Sequence, residues 1–185
     1  TVEIAGGGID SICVSDNGIG LSREDLVHCA KPHATSKIES ETDLLKLSTL
    51  GFRGEALASI AAVSRLDITS RRIDEKHGWH LHAEVAQENS IEPAILEKGT
   101  KVQSSGLFEN FPARRVFLKR PASEGNLCRQ TFIEKALPFP DIAFRFTMDK
   151  SKIFLPAGQS KKERFTQAMS LENQAALFTE LYASD

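Results

Sequence analysis

The chain has 185 residues, of which 41% are hydrophobic, and its formal net charge is −2. This length suits one globular domain with part of a second. The charge excludes a protein coated in positive charge, so any contact with nucleic acid must come from a local patch. No run approaches the about 18 apolar residues of a membrane span, and three widely spaced cysteines fit neither a disulfide framework nor a zinc site.

The first predicted elements are two strands separated by the glycine turn Gly6–Gly8. Val2–Ile4 and Ser11–Ser15 alternate apolar and polar residues, as half-buried strands do. The second strand leads into Asp16-Asn17-Gly18-Ile19-Gly20. An ionised carboxylate accepts hydrogen bonds and donates none, which suits recognition of an exocyclic amine, and the glycines leave room for a flat ring. The alternative is a turn in which Asp16 binds its own backbone.

A short helix with Ser22 as its N-cap follows, and Pro32 ends it. The next segment, His33-Ala34-Thr35-Ser36-Lys37-Ile38, concentrates hydroxyls, a lysine and a histidine, which are side chains that bind phosphate. Its alternative is a solvated polar loop between two helices.

A glycine turn, Gly51-Phe52-Arg53-Gly54-Glu55, precedes the helix predicted from Glu55 to Ser64. Glycines let a ligand approach the backbone closely. The first amides of a helix lack partners, and together with the helix dipole they form an anion site. The alternative is a simple turn before a helix whose buried side carries Leu57, Ile60 and Val63.

Three further strands are predicted over Leu66–Arg71, Trp79–Val85 and Gly99–Gln103. His80 and His82 share one face of the second of these. We interpret them as a solvent-facing pair, because a metal site needs a full ligand set.

The segment after Phe111 begins as a helix with proline in its first turn and carries four positive charges in seven residues. These charges predict either contact with phosphates or a solvated helix face. The charged residues are Arg114, Arg115, Lys119 and Arg120.

The remaining pattern predicts a long helix, a hairpin and a capped helix. The long helix spans Ser123–Leu137, with Leu127 among its inward residues. The hairpin runs from Ala143 to Leu155. A capping box at Ser160–Glu163 starts the last helix.

The motifs at residues 16–20, 33–38, 51–57, 99–100 and 112–115 together resemble the N-terminal ATPase region of MutL-type DNA mismatch repair proteins. The first motif marks the wider group of gyrase, heat-shock chaperone, histidine kinase and MutL ATPases, and the motifs at 33–38, 51–57 and 112–115 are specific to the MutL branch. The resemblance implies an α+β fold in which ATP lies between a mixed sheet and helices. It also implies an ATPase domain over residues 1–158 and the start of a second domain over 159–185.

The resemblance implies a role for each motif. Asp16 would receive the adenine amine, and Thr100, after Gly99, would support the adenine end through a water and the carboxylate. The segments 33–37 and 51–55 would cover and cradle the phosphates. The nucleotide-binding residues expected from the resemblance are Asp16, Gly18, Gly20, His33, Ala34, Thr35, Ser36, Lys37, Gly51, Phe52, Arg53, Gly54, Glu55 and Thr100.

Some features of the family cannot be matched to this chain. Its first motif, with a catalytic glutamate and a magnesium-binding asparagine, has no counterpart here, so we expect an internal fragment whose Mg²⁺ ligand lies upstream of Thr1. We therefore expect no catalytic or metal-binding residue in the chain and no ATP hydrolysis by it alone. Pro32, Glu109 and Val116 also depart from the family pattern, which thins the basic stretch.

The resemblance implies an ATP-driven switch in mismatch repair. ATP would order the loops, two N-terminal regions would form a homodimer or heterodimer, and DNA, mismatch-recognition proteins and downstream repair proteins would be partners. We expect no membrane contact, and a location in the cytoplasm of a bacterium or the nucleus of a eukaryote. One alternative is a degenerate nucleotide site serving as a DNA-binding or protein-docking module. Another, disfavoured by the MutL-specific motifs, is a chaperone or kinase of the wider group.

Overall fold

The computed structural model describes residues 1–30 and 56–179. The predicted phosphate-binding segments over residues 33–38 and 51–55 lie outside these ranges. Among the described residues, no helix is long and apolar enough to cross a bilayer. The strands are β1 (Val2–Ala5), β2 (Ser11–Asp16), β3 (Arg65–Arg71), β4 (Gly78–Ala83), β5 (Ser90–Ala94), β6 (Gly99–Ser105), β7 (Phe144–Met148) and β8 (Ser151–Leu155). The helices are α1 (Arg23–Cys29), α2 (Ala56–Ala61), α3 (Pro112–Arg115), α4 (Pro121–Ala136) and α5 (Lys161–Ala168), with 3-10 turns at Gly6–Gly8 and Glu172–Leu177.

The chain forms two compact units. The larger unit is Ile9–Leu118, and the smaller unit combines Thr1–Gly8 with Lys119–Asp185. In the larger unit the strands run in the order β5-β4-β3-β6-β2, and every neighbouring pair is antiparallel.

The core of the larger unit lies on one face of this sheet. Leu66 and Ile68 of β3 are fully buried beneath Leu26 of α1. Ser22 caps α1 as predicted, since its side chain accepts a hydrogen bond from the amide of Asp25. Burying a leucine or isoleucine fully stabilises the folded state by about 1.5–3 kcal/mol. The burial of Leu66 and Ile68 therefore determines which face of β3 packs against the helices.

The smaller unit contains the parallel strand pairing. β1 pairs in parallel with β7, and β7 pairs antiparallel with β8, which confirms the predicted hairpin and the α+β class with mixed strand directions. Helix α4 packs Phe132 against Phe146, with ring centroids 5.0 Å apart. The prediction that Leu127 faces inward is wrong, because it is 47% exposed. Two residues along from the buried Gly125, it lies on the opposite side of the helix.

Helix α5 is held in the smaller unit by Arg164. The capping box of Ser160 and Glu163 starts this helix as predicted. Arg164 is fully buried, and burial lowers the pKa of its guanidinium. Its N–H groups donate to the Gln159 side chain and to the carbonyls of Ala136, Pro140, Ile142 and Pro156.

Candidate functional site

Asp16 ends β2 at the start of the glycine-rich turn and is exposed to solvent. Its Oδ1 accepts a hydrogen bond from the amide of Gly18 at 2.8 Å. Within the described ranges, no group donates to Oδ2. The two interpretations of this turn are therefore compatible, because one carboxylate oxygen closes the turn and the other can accept from a ligand.

Thr100 lies directly opposite Asp16 in the β2–β6 pairing, and Ser70 lies opposite Thr100 in the β3–β6 pairing. Opposite residues on one face have their Cβ atoms about 4.5–5.5 Å apart. The structure therefore brings Asp16, Thr100 and Ser70 into one row across three strands. Asp16 is exposed, Thr100 is half-buried and Ser70 is fully buried.

Ser70 joins three parts of the site. Its Oγ accepts from the amide of Leu21 at 2.8 Å and donates to the carbonyl of Gly99 at 3.0 Å. A third contact joins Ser70 Oγ to Thr100 Oγ1 at 2.9 Å. Sequence reasoning missed this residue, although its position carries a signal. A serine follows Leu66 and Ile68 at the spacing of two residues that marks the buried face.

Two glycines let the turn and β6 come close to neighbouring backbone. Gly20 has φ +75°, and a Cβ there would lie 2.1 Å from the carbonyl oxygen of Arg71. Gly99 has φ +121°, and a Cβ there would lie 2.2 Å from the carbonyl oxygen of Asp16. The amide of Ile73 also donates to the carbonyl of Ile19 at 2.9 Å, so the turn is held against the end of β3.

The structure thus places four of the expected nucleotide-binding residues, Asp16, Gly18, Gly20 and Thr100, around one site of the larger unit. The others lie outside the described residues: His33, Ala34, Thr35, Ser36, Lys37, Gly51, Phe52, Arg53, Gly54 and Glu55.

The opposite face of the same sheet is polar. His80 and His82 lie there, 27% and 32% exposed, and both contact Oδ1 of Asp67, at 3.2 and 2.9 Å. They are therefore half-buried and hydrogen-bonded rather than simply solvent-facing. A shallow cavity of about 170 Å³ lies on this face, lined by Asp67, Thr69, His80, Lys101 and Gln103.

In the part of the chain that the structure describes, no group of three or more His, Cys, Asp or Glu side chains could hold a metal ion.

The four basic residues fall on both sides of the unit boundary. Arg114 and Arg115 belong to α3 of the larger unit, while Lys119 and Arg120 belong to the smaller unit. All four are exposed, and none forms an ion pair with a described carboxylate. The guanidinium of Arg114 lies 5.8 Å from the ring centroid of Phe111. As far as the described residues show, these four side chains can therefore meet an anion.

Solved structures with a similar fold include nucleotide-binding domains. The Aquifex aeolicus MutL ATPase domain complexed with ADP superposes with a TM-score of 0.70 at 28% identity, over 91% of this chain and 60% of that one. The N-terminal domain of a DNA repair protein superposes with a TM-score of 0.71 at 25% identity, over 90% of this chain and 50% of that one.

Relatives in sequence confirm the resemblance to MutL. The DNA mismatch repair protein MutL of Treponema pallidum is 46% identical over 198 residues, which cover 100% of this chain and 32% of the relative. That of Syntrophomonas wolfei is 45% identical, over 85% of this chain and 27% of the relative. The chain thus spans about a third of the length of these relatives. A family model described as histidine kinase-, DNA gyrase B- and HSP90-like ATPase matches residues 2–109, and the chain belongs to that ATPase family.

Proposed function

We propose that this chain is the nucleotide-binding part of a DNA mismatch repair ATPase, and that Asp16 and Thr100 hold the base end of ATP. The observation that carries this proposal is the pairing of Asp16 with Thr100 at the end of the sheet's core face, where no described group donates to Oδ2 of Asp16. The ADP-bound structure of a MutL relative supports it.

The chemistry of the base end favours adenine. Oδ2 of Asp16 can only accept, so it attracts the exocyclic amine of adenine and repels the carbonyl oxygen that guanine carries at the same position. A site built to accept from a donor rejects an analogue that lacks it, because the acceptor then loses its partner in the complex. Asp16 and Thr100 therefore set the identity of the base.

We further propose that residues outside the described ranges bind the phosphates of ATP and take part in the conformational switch that ATP drives. Segments 33–37 and 51–55 would contact the phosphates, and ATP binding would promote association of two N-terminal regions. The Mg²⁺ ligand and the base that activates water would lie in a longer protein that contains this chain, here called the parent protein.

Other parts of the proposal concern partners and domain division. Repair proteins and DNA would be partners, with DNA phosphates contacted by the exposed basic residues. The ATPase domain would extend to residue 158, with a second domain starting at 159. Residues 1–185 alone would bind ATP weakly and would not hydrolyse it.

The test compares Asp16→Ala with Asp74→Ala, which removes an exposed carboxylate paired with Arg72. Asp16→Ala should weaken ATP binding to the parent protein by about 1.5–3 kcal/mol, as for a hydrogen bond to a charged group, while GTP binding changes little. Isothermal titration measures both affinities. Unchanged ATP affinity in Asp16→Ala would contradict the assignment, and turnover by residues 1–185 at the rate of the parent protein would contradict the expected inactivity.

A further inference from the structure

We propose that Ser70 is a positioning residue for base recognition, which takes the hydroxyl proton of Thr100 and leaves Thr100 with only acceptor capacity toward the nucleotide. This inference rests on the proposed function, since it concerns how Asp16 and Thr100 select their ligand. Ser70 is fully buried, so it acts through Thr100 and does not itself touch the base.

The proton assignment follows from counting donors around Ser70 Oγ. A serine hydroxyl has one proton and two acceptor lone pairs. The proton goes to the carbonyl of Gly99, which can only accept, and one lone pair takes the amide of Leu21, which can only donate. The remaining contact, to Thr100 at 2.9 Å, therefore uses the second lone pair of Ser70, and the hydroxyl of Thr100 is the donor.

The direction of the hydrogen bond between Thr100 and Ser70 determines whether Thr100 can donate to a bound base. With its proton committed to Ser70, Thr100 Oγ1 presents lone pairs next to Asp16, its partner in the β2–β6 pairing, whose carboxylate is also an acceptor. A donor, either an exocyclic amine or a water that passes on its hydrogen bond, is attracted by both groups. Without Ser70 the hydroxyl rotates freely and can donate, so a carbonyl at the same position of the base is penalised less.

Ser70 also helps to hold the glycine-rich turn that follows Asp16. The amide of Leu21 directly follows Gly20, so the same hydroxyl that orients Thr100 holds the end of the turn carrying Asp16. Loss of the hydroxyl leaves the Leu21 amide and the Gly99 carbonyl without this partner. The experiment must therefore separate a loss of stability from a loss of selectivity.

The chain offers a matched control in a second pair of hydroxyls bridging toward β6. Ser64 is buried, donates to the carbonyl of Ile60 at 2.8 Å and accepts from Ser104 Oγ at 2.9 Å. Ser104 lies in β6 four residues beyond Thr100 and faces Ile12 rather than Asp16. Ser64→Ala therefore removes the same chemical group with a similar set of partners, away from the base end of the site.

The experiment measures the affinities of ATP and inosine triphosphate, which carries a carbonyl in place of the amine, for the parent protein, Ser70→Ala and Ser64→Ala. We expect both variants to unfold at lower urea concentration. Only Ser70→Ala should lower the ratio of ATP to inosine triphosphate affinity, by about three- to tenfold, the range of one hydrogen bond. Ser70→Cys keeps the site filled with a weak donor and should give the same fall if Ser70→Ala does not fold.

A Thr100→Val background tests whether Ser70 acts through Thr100. There, Ser70→Ala should cause no further fall in the ratio. An unchanged ratio in Ser70→Ala, an equal fall in Ser64→Ala, or a further fall in the Thr100→Val background would each overturn the role of Ser70. In all three cases the proposed function survives if the parent protein still prefers ATP. A parent protein that binds the two nucleotides equally would contradict both.

Discussion

Gly20 and Gly99 place two backbone segments of the larger unit within van der Waals distance, and both have positive φ. At Gly99, the close neighbour is the carbonyl of Asp16, the residue that would bind the base. A side chain at either position would meet a neighbouring backbone carbonyl that cannot rotate away. The geometry of the proposed nucleotide site therefore depends on the absence of these two side chains.

We expect Gly99→Ala to destabilise the protein by more than Gly158→Ala. Gly158 also has positive φ, +77°, but a Cβ there has no neighbour within 4 Å. Gly158→Ala should therefore cost roughly 1–2 kcal/mol from the left-handed backbone alone. Gly99→Ala adds a clash at 2.2 Å and should also reduce ATP affinity. Urea unfolding of the two variants measures the difference, and equal losses would contradict the close approach at Gly99.

Among the site residues, the sequence predicts those whose role is visible in a short local pattern. Asp16 is singled out as a carboxylate at the end of a strand before glycines, and the structure shows the turn contact with its own backbone that the alternative interpretation predicts. Thr100 comes only from the family resemblance, and the alternation of β3 places Ser70 on the buried face without indicating its contact with Thr100. Their contact joins positions 30 residues apart, because strand register brings them together, and register is not visible in one short pattern.

At the scale of elements, helix α5 carries a charge that can be titrated. The backbone amide and the hydroxyl of Ser160 donate to the Glu163 carboxylate and lower its pKa. A carboxyl group whose pKa is lower in the folded state contributes stability above its unfolded pKa. It loses that contribution as the pH falls through the folded pKa. Acid should therefore weaken this cap.

We expect Glu163→Gln to reduce the free energy of unfolding at neutral pH. The difference from the unsubstituted protein should shrink as the pH falls and vanish below the lowered folded-state pKa of Glu163, where both side chains are neutral. Glu172→Gln, in the 3-10 turn that follows, removes an exposed carboxylate outside this cap and serves as the matched control. A difference that persists in acid would contradict the role of the charge.

The predictions of helices and strands fail where contacts with distant parts of the chain determine the local structure. The sequence does not predict strand β5 because Pro93 argues against a strand, and the structure places β5 at the edge of its sheet, where proline is tolerated. Strand β4 ends at Ala83, before the predicted Val85, and β6 continues to Ser105. The sequence pattern of α5 does not distinguish Arg164 from the other charged residues of the helix. In the structure its guanidinium is buried and donates to carbonyls at four other positions of the chain.

At the scale of the whole molecule, the proposal assigns DNA binding to the exposed basic residues. Reversing Arg114 and Arg115 to glutamate should weaken DNA binding and flatten its dependence on salt, by about 0.9 in slope for each phosphate that is no longer neutralised. Lys150→Glu with Lys152→Glu makes the same charge change at the β7–β8 turn and serves as the control. Identical salt slopes in the two double variants would show that α3 carries only a solvated face.

The most direct measurement is a crystal structure of the parent protein with a non-hydrolysable ATP analogue. The adenine amine should lie about 2.7–3.2 Å from Oδ2 of Asp16, with Thr100 on the same side of the base. A base bound anywhere else, for example in the cavity beside Asp67 and His80 on the polar face, would contradict the proposal that Asp16 binds the adenine of ATP.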